Sequence, residues 1–262
     1  MVDELSVARK AAEEAGEVMK SLLGNVQVAE KGVNYNLVTE ADTAAERIVI
    51  ATLRRAYPDD AILGEESAAS TSLTAERLWI IDPIDGTTNF AHGIPHFAVS
   101  IAFAQKGEVQ CGVVYDPMRA ELFSAQRGCG ARCNGKLIRV STSPDLTKSV
   151  IVTGFYYERG PMMLRTLESI RKLLVANIQG IRRTGAASLD CCYVACGRFE
   201  GYFEYQLSPW DFAAGMLIIM EAGGACADID GEARGLFSKG MICSNGVIHP
   251  ELLATVGARF EG

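Results

Sequence analysis

No stretch of this 262-residue chain is apolar for long enough to cross a bilayer: the longest run, Phe212 to Met220 with Gly215 inside it, is about half the length a membrane-spanning helix requires. No membrane partner is therefore expected. Positive charge is scarce and nowhere clustered, 25 Lys and Arg against 32 Asp and Glu for a formal charge of −7. Nothing is suited to displacing the counterions of a nucleic acid, so no such partner is expected either. Proline is rare, with 8 residues, and tracts of biased composition are missing, which excludes a disordered or fibrous chain. The 3 histidines, His92, His96 and His249, share no spacing and are expected to be structural. The start, Met1-Val2-Asp3-Glu4-Leu5, is acidic where an export signal is basic, so a cytoplasmic, reducing compartment is expected. The 8 cysteines then serve as small buried hydrophobes, Cys191, Cys192, Cys196 and Cys226 among them. Cys129 and Cys133 have no second pair or histidine at zinc-ligand spacing.

What the chain does have is clear periodicity. Leu5, Ala8, Ala12, Ala15, Met19 and Leu22 recur at steps of three and four and predict a helix ending near Gly24. A second stripe, Ala41, Ala44, Ala45, Ile48, Val49 and Thr52, opens with Thr39 and Asp42 spaced as a capping pair and stops at Tyr57-Pro58. The period then changes to two. Ala61 to Leu63 and Leu78 to Ile81 read as short buried strands, and Phe97, Val99, Ile101 and Phe103 alternate with small residues in a meander reaching Ala125. The second half interleaves strands at Val150–Val152 and Tyr202–Glu204 with helices at Leu164–Ala176, Ala186–Cys196 and Trp210–Glu221, and a last helix follows Pro250. The fold class is α/β (α+β), sheets covered by helices in layers. With no linker or repeat, residues 1–262 are expected to form one unit, an α+β half over 1–140 and an α/β half over 141–262.

Three segments place carboxylates after buried strands or at the mouth of a buried helix: Gly64-Glu65-Glu66-Ser67, the run Trp79 to Phe90 containing Asp82-Pro83-Ile84-Asp85-Gly86-Thr87-Thr88, and Trp210-Asp211-Phe212. Buried carboxylates without matching cationic side chains call for a divalent cation. Oxygen ligation by Glu65, Asp82, Asp85 and Asp211, with the Ile84 carbonyl available, suits a hard ion, and Mg²⁺ prefers few protein carboxylates plus waters and substrate phosphate. Pro83 stiffens the turn between Asp82 and Asp85. Gly86-Thr87-Thr88 offers backbone N–H groups at a helix start, where phosphate oxygens bind. Each residue also has a plainer reading: Asp211 as a helix cap, Glu66 as a surface charge, Asp228-Ile229-Asp230-Gly231 as a turn. The combination favours metal-assisted phosphoryl chemistry.

Those three segments resemble the signatures of the inositol monophosphatase family, Mg²⁺-dependent, lithium-sensitive phosphatases of sugar phosphates. Lys31 through Asp42 is similar to the family's metal loop and following helix, and Arg182-Arg183-Thr184-Gly185-Ala186-Ala187 to its sugar-binding turn. The resemblance implies a five-layered αβαβα sandwich of the inositol monophosphatase and fructose-1,6-bisphosphatase type, a homodimer, and two or three Mg²⁺ ions. It implies that Glu65, Asp82, the Ile84 carbonyl, Asp85 and Asp211 hold metal, and that Thr87, paired with Asp42, activates the attacking water, with Glu65 also in the catalytic set. Gly86 and Thr87 would hold phosphate. Asp85, Arg182, Gly185, Ala186, Ala187, Glu204 and Asp211 would face the substrate. Asn36 stands where many members carry Asp, and Ala186 where animal members carry a hydroxyl residue.

The expected activity is hydrolysis of myo-inositol monophosphate, a small-molecule phosphate ester, by metal-activated water. Fructose 1,6-bisphosphate, histidinol phosphate and the 3′-phosphate of adenosine bisphosphate are alternatives within the same chemistry. A non-catalytic acidic module holding Ca²⁺ is the alternative outside it.

Overall fold

The computed structural model describes residues 3–24, 28–30, 37–67, 72–155, 160–232 and 235–257, with 28–30 and 37–39 described through the backbone alone. In chain order these form α1 (Glu4–Leu22), β1 (Val28–Glu30), β2 (Leu37–Thr39), α2 (Glu40–Ala56), β3 (Ala61–Gly64), β4 (Arg77–Asp85), α3 (Thr87–Ala91), β5 (Ala98–Gln105), β6 (Glu108–Asp116), β7 (Glu121–Gln126), β8 (Ala131–Cys133) and β9 (Lys136–Leu137). There follow β10 (Val150–Thr153), α4 (Pro161–Val175), β11 (Gly180–Arg182), α5 (Ala187–Ala195), β12 (Gly201–Glu204), α6 (Pro209–Glu221), β13 (Ala225–Ala227), β14 (Met241–Ser244) and α7 (His249–Leu252). β3 through β9 lie side by side in a seven-stranded sheet, β11-β10-β12-β14-β13 make a five-stranded one, and β1 pairs with β2.

The layering follows from which residues each strand sends to which side. On β5, Val99, Ile101 and Phe103 pack with the apolar stripes of α1 and α2 (Ala8, Ala12, Ala15, Ala45, Val49), while Ala98, Ala102 and Ala104 pack with α5 and α6. Large side chains thus fill the outer interface and small ones let the inner helices come close: a Cβ on Gly112 of β6 would stand 2.8 Å from Ala214 Cα of α6. α6 is apolar all round because it lies between the two sheets, with Phe212 to Ile219 buried without a break. On the far side of the five-stranded sheet, Phe203, Tyr205 and Ile242 pack against Leu173 of α4 and Leu252 of α7. The order is helices, sheet, helices, sheet, helices, the expected αβαβα sandwich. No helix among the described residues is long and apolar enough to cross a membrane.

The sequence predicts a strand ending at Ile81, whereas β4 continues to Asp85. Its pairing to β5 shifts between Asp82, opposite Ser100, and Asp85, opposite Ala98, so three residues on one strand span two on the other. A bulge absorbs the extra residue at Pro83, which has no N–H to give the ladder. Strands β8, β9, β11, β13 and β14 escape the sequence pattern because two to four residues are too short to show alternation. All eight cysteines are free thiols; Cys191 and Cys192 are buried as expected, Cys196 and Cys226 only half-buried.

One polar knot secures the edge of the seven-stranded sheet. Asp60, 7% exposed, accepts from Arg77 Nε (2.7 Å), Arg77 Nη2 (3.0 Å) and the buried Trp79 Nε1 (2.9 Å). Asp60→Ala strands a buried indole N–H and should destabilise the protein by about 2–3 kcal/mol, discounted for the half-exposed arginine. The urea midpoint should fall with the transition slope unchanged.

Candidate active site

The bulge decides where the acids point. Leu78 and Ile80 face the helices between the sheets, and Asp82 continues that face. Strict alternation would send Asp85 the other way. Because of the extra residue, Asp85 lies opposite Ala98, two residues from Ser100 on the same face, and Ile84 turns outward to the core under α1 and α2. Both carboxylates therefore enter one space from a single strand.

Neighbouring elements bring the others. Glu65 follows β3, and its amide bonds the Ile81 carbonyl at 3.1 Å. Glu46 of α2 braces this turn by accepting from Ser67 Oγ (3.1 Å), and only hydrogen at Gly64 leaves room for its carboxyl. Asp42, on the first turn of α2 and fully buried, accepts from Thr87 Oγ1 (3.1 Å), and the Ile84 carbonyl lies 3.0 Å from the same hydroxyl. The capping pair expected of Thr39 and Asp42 lies outside the described residues. Asp211 is the third residue of α6, whose cap is Ser208; its Oδ2 accepts from the Ser208 amide at 2.6 Å in a capping box. Asp85 accepts from the Ala187 amide (3.0 Å), the Ser188 amide (2.7 Å) and the Ser188 hydroxyl at the start of α5. The sequence signals for Lys31 to Asn36 lie outside the described residues, as does the Thr39 side chain.

Electrostatics bind these residues into one group. Burial, reinforced by the Glu65, Asp85, Asp211 and Asp42 carboxylates, pushes the Asp82 carboxyl far above its usual range. Burial does the same to Asp211, with Glu65 adding to it, and raises Asp85 to about 6 against the opposing hydrogen bonds from Ser188 and Ala187. Asp82 Oδ1 is buried with no hydrogen-bond partner. Among the described residues no three His, Cys, Asp or Glu side chains are already grouped to hold an ion; Asp85 and Asp211 are held by α5 and by the Ser208 amide, and the bonds to Asp85 leave Oδ1 with a lone pair to spare. Hard oxygen donors, mutual repulsion and an orphaned carboxylate oxygen together fit a divalent cation.

Beside the acids opens a small cleft of about 90 Å³, partly open to solvent. Asp85, Gly86, Thr87, Gly185, Ala186, Ala187, Glu204 and Asp211 all line it. Gly86 takes a left-handed conformation (φ 97°), and α3 starts directly after it, so the amide turn expected from sequence is in place. Glu204 accepts from Tyr202 Oη (2.8 Å) and is pushed up to about 7 by burial. Arg182 is exposed with Nη1 on the Ile181 carbonyl, and it does not line the cleft; Arg183 does. Sequence reasoning also passed over Asn89, Gly154, Ser188 and Asp190. Three of them have a partner far along the chain, Gly154 at Glu204, Ser188 at Asp85 and Asn89 at Thr184, whose carbonyl accepts from Asn89 Nδ2 (2.9 Å) as the His96 carbonyl does (2.8 Å). The remaining signals are structural: Asp228 accepts from the Asp230 and Glu232 amides in a turn, and His249 Nδ1 meets Ser244 Oγ.

Acids gathered beside a helix start, between two sheets of an αβαβα sandwich, define the class of metal-dependent phosphatases. The chain belongs to the inositol monophosphatase family, whose pattern matches residues 1–260. It is 44% identical to Nus factor SuhB of Pseudomonas aeruginosa over 258 residues, 96% of this chain and 95% of the relative. An IMPase from Thermotoga maritima superposes with a TM-score of 0.89 at 38% identity, covering 97% of both chains. SaIMPase-II of Staphylococcus aureus, solved with inositol monophosphate bound, gives 0.80 at 28% identity over 96% of this chain and 93% of that one. Membership carries phosphatase chemistry and a general dependence on metal.

Gly154 supplies the floor under Glu204, for a Cβ there would overlap the carboxylate. Since the clash is with the far end of a flexible side chain, Gly154→Ala should fold with a loss of about 1 kcal/mol or less, a few degrees in Tm. Its crystal structure should show Glu204 turned away from Tyr202.

Proposed function

We propose that the protein is a Mg²⁺-dependent phosphomonoesterase that hydrolyses myo-inositol monophosphate to inositol and phosphate. The observation carrying this reading is the β4 bulge, which turns Asp82 and Asp85 to one face of the strand and brings Asp85 to a cleft also lined by the amide turn at Gly86 and Thr87 and by Glu204. Glu65, Asp82, the Ile84 carbonyl, Asp85 and Asp211 would hold the ions. Mg²⁺ bound there supplies positive charge to offset the phosphoryl oxygens and to acidify nearby water.

The chain's own groups do the rest. Thr87 Oγ1 has one proton and two acceptors in reach, Asp42 Oδ1 and the Ile84 carbonyl, so its lone pairs are left to receive a proton from water entering the cleft. Asp42 is the sink at the end of that relay. The Gly86 and Thr87 amides orient the phosphate for in-line displacement. Glu204, Ala187 and Asp85 face the leaving alcohol, and no protein nucleophile is needed.

The bisphosphate alternative asks for cationic groups at the far end of the cleft. Among the described residues lining it, Arg183 is the only cationic side chain, and it faces Glu204 and Asp190. An uncharged polyol suits that wall better. Family membership also supports lithium sensitivity and a homodimer, with residues 1–262 as one catalytic unit. The identity to Nus factor SuhB supports a second reading, in which the chain also serves as such a factor.

Asp82→Asn should lower Mg²⁺-dependent kcat by on the order of a thousandfold or more, and chelation should abolish turnover until Mg²⁺ is restored. Wild-type turnover in D82N would refute the metal assignment. If D82N still replaces SuhB in Pseudomonas aeruginosa, the factor role is independent of the chemistry. Glu204 gains its charge as pH rises through about 7, and the ionised form is the stronger acceptor. KM for inositol monophosphate should therefore fall between about pH 6 and 8 relative to KM for an aryl phosphate. Glu204→Gln should flatten that ratio; a ratio that still moves with pH in E204Q would remove the hydroxyl-acceptor role.

A further inference from the structure

Asp190 is a buried carboxylate that the reaction above does not use. It lies on the first turn of α5, is 1% exposed, and lines the cleft beside Glu204. A carboxylate withdrawn from water needs a donor, and Asp190 has the hydroxyl of Thr184, six residues earlier. Thr184 lies on the turn leading into α5. Its carbonyl accepts from Asn89 Nδ2, which also holds the His96 carbonyl. Three residues further on, the Ala187 and Ser188 amides and the Ser188 hydroxyl grip Asp85.

The segment 184–188 is therefore pinned at one end by Asp190 and Asn89 and at the other by Asp85, and Gly185 to Ala187 form cleft wall between the pins. Gly185 has φ +93° and no side chain to restrict it. The phosphate-side turn rests on the same segment, since a Cβ on Gly86 would stand 3.2 Å from the Gly185 carbonyl oxygen and 3.3 Å from Ala186 Cβ. We propose that Asp190 and Thr184 form a latch that sets the sugar-facing wall of the cleft, making Asp190 a positioning residue for the polyol rather than a catalytic one. The claim rests on the phosphomonoesterase reading for its substrate and on the hydrogen-bond geometry for the latch itself.

The test compares Thr184→Val, Asp190→Ala, the double variant and Thr184→Ser on inositol 1-phosphate and on p-nitrophenyl phosphate. T184V and D190A should each raise KM for the inositol ester roughly 5- to 20-fold, with kcat and the aryl-ester KM within about twofold. The double variant should be no worse than D190A, since both changes break one bond, and T184S should stay near wild type. Amide hydrogen exchange at residues 185–188 should quicken on the order of tenfold in T184V and D190A and no further in the double. T184V removes a hydroxyl alone, so it carries the test if D190A does not fold. Equal losses on both esters, effects that multiply in the double, or unchanged exchange would overturn the latch. If the wild-type protein releases phosphate from neither ester, the proposed reaction fails, and exchange still decides the latch.

Discussion

The structure depends on keeping several carboxylates together in a place with little water and almost no cationic side chains. Two like charges about 4 Å apart near a protein surface repel by about 4 kcal/mol, a large fraction of the net stability of a domain. The chain answers with helix starts. Asp42 is in the first turn of α2, Asp85 accepts from the first amides of α5, and Asp211 is the third residue of α6. Each such position offers unsatisfied N–H groups and a positive dipole end, worth about 0.3–1 kcal/mol at the surface and up to about 2 when partly buried. The helix layers are thus part of the site's counter-charge, and a bound divalent cation completes what the backbone begins.

That arrangement explains the packing asymmetry of the seven-stranded sheet. The starts of α5 and α6 must reach the bulge on β4, so both helices need to lie close to the sheet. Ala98, Ala102, Ala104 and Gly112 give them a shallow surface, and Gly215 lets α5 and α6 approach each other at Cys191. The bulky residues go to the opposite face, where they pack with the apolar stripes of α1 and α2. Core composition and site geometry are one constraint.

How much of this was readable beforehand follows from the range of each signal. The stripe of α1, the uniform apolarity of α6 and the small-large alternation of β5 are local and survive in the structure. The bulge is not local: Pro83 marks an interruption of pairing, but only the register against β5 shows that the strand resumes and that Asp85 joins the face of Asp82. Asp42 and Asp211 were ambiguous between cap and site. Asp211 is both, accepting from Ser208 while adding to the acid cluster, so the two readings never competed. Gly154 under Glu204 and Asn89 against Thr184 join segments 50 and 95 residues apart, and nothing in either segment names the other.

The two halves of the chain divide the work unevenly. Residues before 140 supply Asp42, Glu65, Asp82, Asp85 and the amide turn, all held by the sheet and by α2; residues after 141 supply Gly154, Arg183 to Ala187, Glu204 and, through α6, Asp211. Residues of both sets line one cleft. Ala187 ties the second set directly to the bulge, its amide donating to Asp85. The coupling between the sets runs through few bonds, those of Asp85 to α5 and of Asn89 to the turn before it. The acids and the cleft wall are therefore set by the same few hydrogen bonds.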